Sequence, residues 1–439
     1  MFRRVLLLSL LAIAVGGGVA SAQTFSARRM AMGGVILASG GSGSSGANVA
    51  YRAVPRAPSS CRALPLPIGL VQLAADLPEF DPDSPDFNIY ELANLLYNPP
   101  WNLQLSTPAA PSNDITIEIG KDHLAVDLGE VKKIFPEDQS QMGAVVNGPA
   151  LGFGVKRFFL AAAPLIYYDN DLSFNDNLRG AINGEEFQHN TLYEMRDQGE
   201  GLAAVGAHLG WAAPLMETGD PRGAGKGLYA GARVKLMRGL AYVNADNSVA
   251  FATGDTIFGA TPLDANYQST TLTAGPDGGG LGRGLDLGAV WMAGGAEVGL
   301  GINDIGTTFK WSVEKTESVD NPDDPDAEDI VTPDVEVTSK VPTTVVANAA
   351  TRVGRFLVAG DIVRGVHVTT VHLGAETWLN KTLAVRVGTG RDANALLQYS
   401  VGSGLRFGNF GVDLAIASNS RNLSRERGLE LGAGLAFYH

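Results

Sequence analysis

From Thr343 to its end the chain runs as short segments in which apolar residues alternate with small or polar ones. A period of two is the spacing of a β-strand with two unlike faces. In the last segment Leu429, Leu431, Ala433, Leu435 and Phe437 fall on one face, and Glu430, Gly432, Gly434 and Tyr438 on the other. The segment before it sets Phe410, Val412, Leu414 and Ile416 against Gly411, Asp413, Ala415 and Ala417. Two earlier ones set Leu397, Tyr399, Val401, Leu405 and Phe407 against Gln398, Ser400, Gly402, Gly404 and Arg406, and Leu383, Val385 and Val387 against Ala384, Arg386 and Gly388. Gly, Asn, Asp and Arg mark the turns between them.

Strands of a soluble sandwich alternate too, with one face buried and one wet. Three features favour a transmembrane antiparallel β-barrel instead. The segments run to about ten residues, the length a tilted strand needs to cross a bilayer. Their small or charged face is rich in glycine, which suits a crowded lumen. Connections also alternate in length. Reading backwards, Arg421 to Gly428 is long, Gly408-Asn409-Phe410-Gly411 tight, Gly390 to Ala395 longer, and Leu379-Asn380-Lys381 tight. Val353-Gly354 is tight, Glu314 to Val341 long, and Asn303-Asp304-Ile305-Gly306 tight, while Arg364-Gly365 is short where a long loop is due. Short turns on one side and long loops on the other are the habit of bacterial outer-membrane barrels.

Residues 113–306 continue the pattern near Ile115–Ile119, Leu151–Tyr168, Gly201–Trp211, Leu228–Val243, Leu285–Trp291 and Val298–Ile302. Together the segments predict about fourteen strands, with 169–200 and 244–281 as long outer loops. Val313 to Lys340 reads as another outer loop. It contains the acidic tract DNPDDPDAED, which lacks the fixed ligand spacing of a calcium loop.

Residues 23–112 read differently. Gly40 to Gly46 is almost all Gly and Ser, Pro55 to Pro67 is proline-rich, and Asn88 to Asn98 places Ile89, Leu92, Ala93 and Leu96 at helical spacing before Pro99-Pro100. Irregular backbone is not stable against lipid, so this region is expected in the lumen or the periplasm as a plug or hatch. At the start, Arg3 and Arg4, the apolar run Val5 to Val15 and the small residues Ala20-Ser21-Ala22 have the form of a cleaved signal peptide over residues 1–22. An exported, outer-membrane protein is expected. Cys61 is the only cysteine, so no internal disulfide is available. A net charge of −13 lacks the clustered Lys and Arg that nucleic acid requires.

The stretch Ala27-Arg28-Arg29-Met30-Ala31-Met32-Gly33-Gly34-Val35 resembles the start of mature proteins in the FadL-type superfamily of outer-membrane transporters for hydrophobic compounds, which includes PorV-like and TraF-like relatives. Leu373-Gly374-Ala375-Glu376 followed by Leu383-Ala384-Val385-Arg386-Val387-Gly388 is similar in style. The resemblance implies a fourteen-stranded barrel with the N-terminal segment inside it as a hatch, carrying Met32, Gly33, Gly34 and Asn48. The chain departs from the pattern at Asn48-Val49-Ala50, where Asn-Pro-Ala is usual, and at its end, Phe437-Tyr438-His439.

No catalytic, cofactor or metal residues are assigned. The six histidines are scattered; His367 and His372, five apart, face opposite sides of a strand. Gly225-Lys226 lacks the upstream glycine and the Ser/Thr of a phosphate loop. Three classes remain: a passive channel for small hydrophobic or amphipathic molecules, a non-transporting barrel serving a secretion or assembly complex, and an outer-membrane hydrolase with its triad on the rim. The partners expected are outer-membrane lipids, a small hydrophobic ligand and the barrel-assembly machinery. A two-residue turn with Asn409 and Phe410 at its tip would set Arg406 opposite Asp413. Glu376, Arg386, Arg406, Asp413 and Glu430 would then line the lumen as a row of mixed sign.

Overall fold

The computed structural model describes residues 26–36, 44–55, 61–75, 84, 101–106, 116–120, 122–127, 140–147, 151–217, 226–257, 264–319, 329–391, 397–419 and 428–438. The signal peptide, the Asn88–Asn98 segment and nearly all of the acidic tract lie outside them. The strands are β1 (Cys61–Leu66), β2 (Leu103–Ser106), β3 (Thr116–Gly120), β4 (His123–Asp127), β5 (Ser140–Asn147), β6 (Leu151–Val155), β7 (Phe158–Phe174), β8 (Leu192–Glu217), β9 (Gly227–Ala252), β10 (Asp264–Ala274), β11 (Leu281–Ala293), β12 (Ala296–Val319), β13 (Ile330–Lys340), β14 (Thr344–Val353), β15 (Phe356–Arg364), β16 (Thr369–Trp378), β17 (Leu383–Arg391), β18 (Leu397–Phe407), β19 (Phe410–Asn419) and β20 (Gly428–Tyr438). Eighteen of them form one sheet, and every pairing in it is antiparallel between strands close in sequence, apart from β1 and β2, which both pair with β20. No helix among the described residues is long and apolar enough to cross a membrane. The architecture is that of a β-barrel wall.

The two faces of this sheet have the reverse of a soluble protein's polarity. On β16 to β20 the exposed side chains are Val371, Leu373, Val385, Val387, Tyr399, Val401, Leu405, Leu414, Ile416, Leu429 and Phe437, while Glu376, Arg386, Asp413 and Glu430 are buried. Burial on the inner face comes from the N-terminal segment, a helix over Ala27–Ala31 and a 3-10 turn over Val49–Arg52. The first touches β17 to β20 and the second β8, β9 and β11. Two distant parts of the sheet, one with β8, β9 and β11 and the other with β17 to β20, thus pack against the N-terminal region.

Several expectations are corrected. The sheet takes in Cys61–Leu66 and Leu103–Ser106, within the region expected to be hatch alone. Thr116–Gly120 leaves the wall and pairs with His123–Asp127 as a separate hairpin. The expected outer loops 169–200 and 244–281 are largely strand: β8 and β9 are 26 residues each and stay paired to their far ends. Between β7 and β8 stands a helix, Asp176–Ile182, started by the Asn175 side chain, which accepts from the Leu178 N–H at 2.9 Å. Asn303 to Gly306 is no turn. It is a bulge inside β12, with Asp304 and Gly306 at φ 62° and 60° and shifted register to β11. The strand survives because neighbours on both sides hold it and because the Asp304 carboxylate has buried partners.

The last hairpin is also displaced by one residue. Phe407 pairs with Phe410, Arg406 with Gly411 and Gly404 with Asp413, so Gly408 and Asn409 form the tip and Arg406 does not face Asp413. The cause is backbone geometry: the first tip residue has φ +63°, which glycine accepts and which a Phe410 tip would not supply. In a Cys61→Ser background, cysteines at 406 and 411 should form a disulfide on oxidation, and cysteines at 406 and 413 should not, as read by gel mobility. Efficient 406–413 crosslinking would restore the rejected register.

Candidate functional site: a charge-anchored segment inside the sheet

Two clusters of buried charge tie the N-terminal segment to the wall. In the first, both Arg28 nitrogens, Nε and Nη2, donate to the two Glu376 oxygens at 2.8 Å, a bidentate pair. Arg386, directly across from Glu376 on the next strand, donates Nε to Glu376 at 2.7 Å and Nη1 to Asp413 at 2.6 Å. The order of charges is plus, minus, plus, minus, so the cluster is neutral as a whole. Isolated, each of these ions would cost several kcal/mol to bury.

The second cluster lies under the 3-10 turn. Arg233 and Lys235 on β9 share Asp286 of β11, at 2.5 and 3.0 Å, and Lys235 reaches Asp304 at 2.7 Å and Asn147 at 2.9 Å. It too is balanced. Arg233 Nη2 then donates to the Gly46 carbonyl at 3.3 Å. Asn48, fully buried, accepts from Ala50 N–H at 3.0 Å and donates to the Ala289 carbonyl at 3.0 Å. Between the clusters Asp361 accepts from Ile36 N–H at 2.5 Å and pairs with His372 Nδ1 at 2.6 Å.

Glycines give this segment its seat. A Cβ on Gly374 would lie 2.7 Å from Met32 Cβ, and one on Gly402 2.5 Å from Ala31 Cβ. Gly33, at φ +72°, has no room for a side chain either: a Cβ there would lie 2.7 Å from the Thr389 nitrogen. Met32, with no exposure, packs with Val35 against Ala350, Leu357 and Ala359. Wall and segment are therefore complementary in shape as well as in charge.

Farther from the short turns, an apolar cluster fills the inner face: Leu165, Tyr167, Leu202, Met237, Tyr242, Phe309, Trp311 and Val313. Tyr242 stacks on Trp311 at 5.1 Å between centroids and Phe309 at 5.7 Å. Trp311 Nε1 donates to Ser339 at 2.8 Å, so its ring is fixed. The 365–368 turn folds over this cluster, placing Val366 against it and pairing His367 with Asp169 of β7.

Of the residues singled out from the sequence, Glu376, Arg386 and Asp413 form one network and Met32, Gly33, Gly34 and Asn48 are buried against the wall. Glu430 is buried on β20, where its pairing partners are Ala417 and Gln104. Arg406 stays outside the network and donates to the Gly408 carbonyl of its own turn at 2.9 Å. His367 and His372 bind separate aspartates. The second cluster was missed because its members come from four strands; the signal available was charge on the small-residue face, as at Arg233, Lys235 and Asp286.

No family model and no curated protein matches the chain. Among solved structures, the Pseudomonas putida toluene transporter TodX aligns with a TM-score of 0.30 and 13% identity over 68% of this chain and 87% of its own. A TodX deltaS2S3 mutant, described as a monoaromatic hydrocarbon channel, gives 0.30 and 13% over 69% and 89%. A mutant of the Rhodopseudomonas blastica porin gives 0.24 and 11% over 68% and 99%. Scores of this size decide nothing about the chain, and the architecture rests on strand pairing and face polarity.

Arg386→Met strands Asp413 and half of Glu376's pairing, and should lower stability by about 3–5 kcal/mol in reversible unfolding from lipid vesicles. Arg28→Met leaves Glu376 its Arg386 partner. It should leave the sheet folded while opening the N-terminal segment to added protease.

Proposed function

We propose that the chain is a closed outer-membrane β-barrel of about fourteen staves that passes small hydrophobic or amphipathic molecules and is shut by its N-terminal segment. The observation that carries the reading is the inverted polarity of the sheet: valine, leucine and phenylalanine outside, arginine, aspartate and glutamate inside. In water that arrangement would expose dozens of large apolar side chains and bury ions; in a bilayer both faces are at home. β14 to β20 are 9 to 11 residues long, the span a tilted strand needs. Exposed aromatics gather near the short turns, Phe153, Phe158, Trp291, Phe356, Phe407, Phe410 and Phe437, as in an interfacial girdle. Collinear pieces such as β5 with β6, β10 with β11 and β13 with β14 each count as one stave. β1 and β2, which both pair with β20, count as one further stave, and the closed ring of this proposal requires that stave to meet β5 and β6.

Short turns then face the periplasm and the long strand ends the exterior, with residues 1–22 as the export signal. The hatch, within residues 23–112, is held through side-chain contacts and not by strand pairing over 26–36 and 44–55, so it can leave without unzipping the wall. The aromatic slot around Trp311 lies on the inner face beyond it and offers an apolar molecule stacking surfaces.

A barrel serving a secretion or assembly complex is the second reading. The raised outer structure favours it: β8 and β9 run on past the apolar band, and the β3–β4 hairpin packs Leu124 and Val126 on Phe187, Tyr193 and Ile257.

The protein should fractionate with the outer membrane and migrate faster on a denaturing gel before boiling than after. Deleting residues 24–60, which spares β1, should leave an inserted barrel and raise single-channel conductance in planar bilayers. An inserted barrel with unchanged conductance would favour the assembly role.

A further inference from the structure

The chain as a whole is acidic, yet the exposed charges described at its short-turn end are basic. Lys156 and Arg157 in the β6–β7 turn, Lys226 before β9, Arg352 and Arg355 around the β14–β15 turn and Lys381 in the β16–β17 turn are all exposed there. The carboxylates described at that end, Glu297, Glu376 and Asp413, are buried. At the opposite end Glu194, Asp255, Glu314, Asp329, Asp334 and Glu336 are exposed. The cations also stand beside the aromatic girdle: Arg157 precedes Phe158, and the Arg355 guanidinium lies 5.4 Å from the centroid of the Phe356 ring.

One cavity on the outer surface falls in this collar. It has a volume of about 350 Å³ and lies between the start of β9 and the β11–β12 turn, lined by Met216, Lys226, Leu228, Trp291 and Met292 with backbone at Gly227, Ala293 and Gly294. Met216 and Trp291 are more than half exposed and sit across Leu228 on adjoining strands. One ammonium at the mouth and apolar walls below it describe an amphipathic anion standing upright in a membrane interface.

We propose that this groove is a binding site for an anionic phospholipid of the periplasmic leaflet, with its phosphate at Lys226 and an acyl chain along Met216, Leu228 and Trp291. The remaining cations of the collar hold further anionic headgroups around the rim. The proposal rests on the membrane orientation given above. Its chemistry is charge complementarity at low dielectric, where an exposed Lys or Arg near an anionic leaflet changes lipid affinity about fivefold. The aromatic edge fixes depth, and the cations select headgroup.

The test is native mass spectrometry of the full chain in a neutral detergent, titrated with phosphatidylglycerol or with phosphatidylcholine of the same acyl chains. Phosphatidylglycerol should bind in preference, and Lys226→Gln should reduce occupancy of the tightest site about fivefold. Trp291→Ala should weaken both lipids, and a control, Arg364→Gln with Arg391→Gln at the other end, should change neither. Equal binding of the two lipids, or a Lys226→Gln protein that still prefers phosphatidylglycerol at wild-type strength, overturns the site. The heat-dependent gel shift of each variant is read in parallel. A preserved shift with no lipid preference rejects the lipid site alone, whereas loss of the shift in the wild-type chain rejects the membrane reading beneath it.

Discussion

In the proposed membrane setting, hydrocarbon offers a backbone no hydrogen-bond partner, and the rest of this structure is read from that constraint. Each stave must be paired on both edges and must show the lipid side chains that need no water. Period two then leaves the other face to point inward, and there the chain places its glycines, serines and charges. Leu429, Leu431 and Phe437 alternate with Glu430, Gly432 and Gly434 for this reason. The same alternation in a soluble sheet would have put the leucines in the core.

An inward charged face raises a second problem, since ions facing a packed lumen lose most of their water. The chain meets it by balance. Arg28, Glu376, Arg386 and Asp413 neutralise one another, as do Arg233, Lys235, Asp286 and Asp304. Only Arg28 of these eight belongs to the N-terminal segment. Removing the segment therefore costs the wall one guanidinium, and Glu376 keeps Arg386. The anchoring suits a part that is seated firmly yet separable, and the glycine seat at Gly374 and Gly402 lets it lie close without strand pairing.

The sequence was most legible where staves are bounded by tight turns. β14 to β20 follow the alternation closely, because one face is exposed and apolar and the other meets a glycine-lined interior. It was least legible where local chemistry and tertiary pairing diverge. Asn303-Asp304-Ile305-Gly306 has the composition of a turn, and two residues there adopt positive φ, but flanking strands carry the chain through as a bulge. Residues 244–252 and 264–274 look like loop because their composition is polar, and on the proposed reading they stand outside hydrocarbon, where a strand has no need of an apolar face. At the last hairpin, alternation places strands but cannot fix which pair of residues turns. Gly408 decides it, and with it the partner of Asp413 changes from Arg406 to Arg386.

The proposed barrel requires its apolar face to be in contact with lipid. A nitroxide scan along Leu397–Phe407 in reconstituted vesicles tests it most directly, by comparing collision rates with dissolved oxygen and with a water-soluble nickel chelate. Positions 399, 401 and 405 should favour oxygen strongly, and 400, 402 and 404 should be shielded from both. A nickel preference at 399, 401 and 405, or the same exposure at odd and even positions, would contradict a lipid-facing wall.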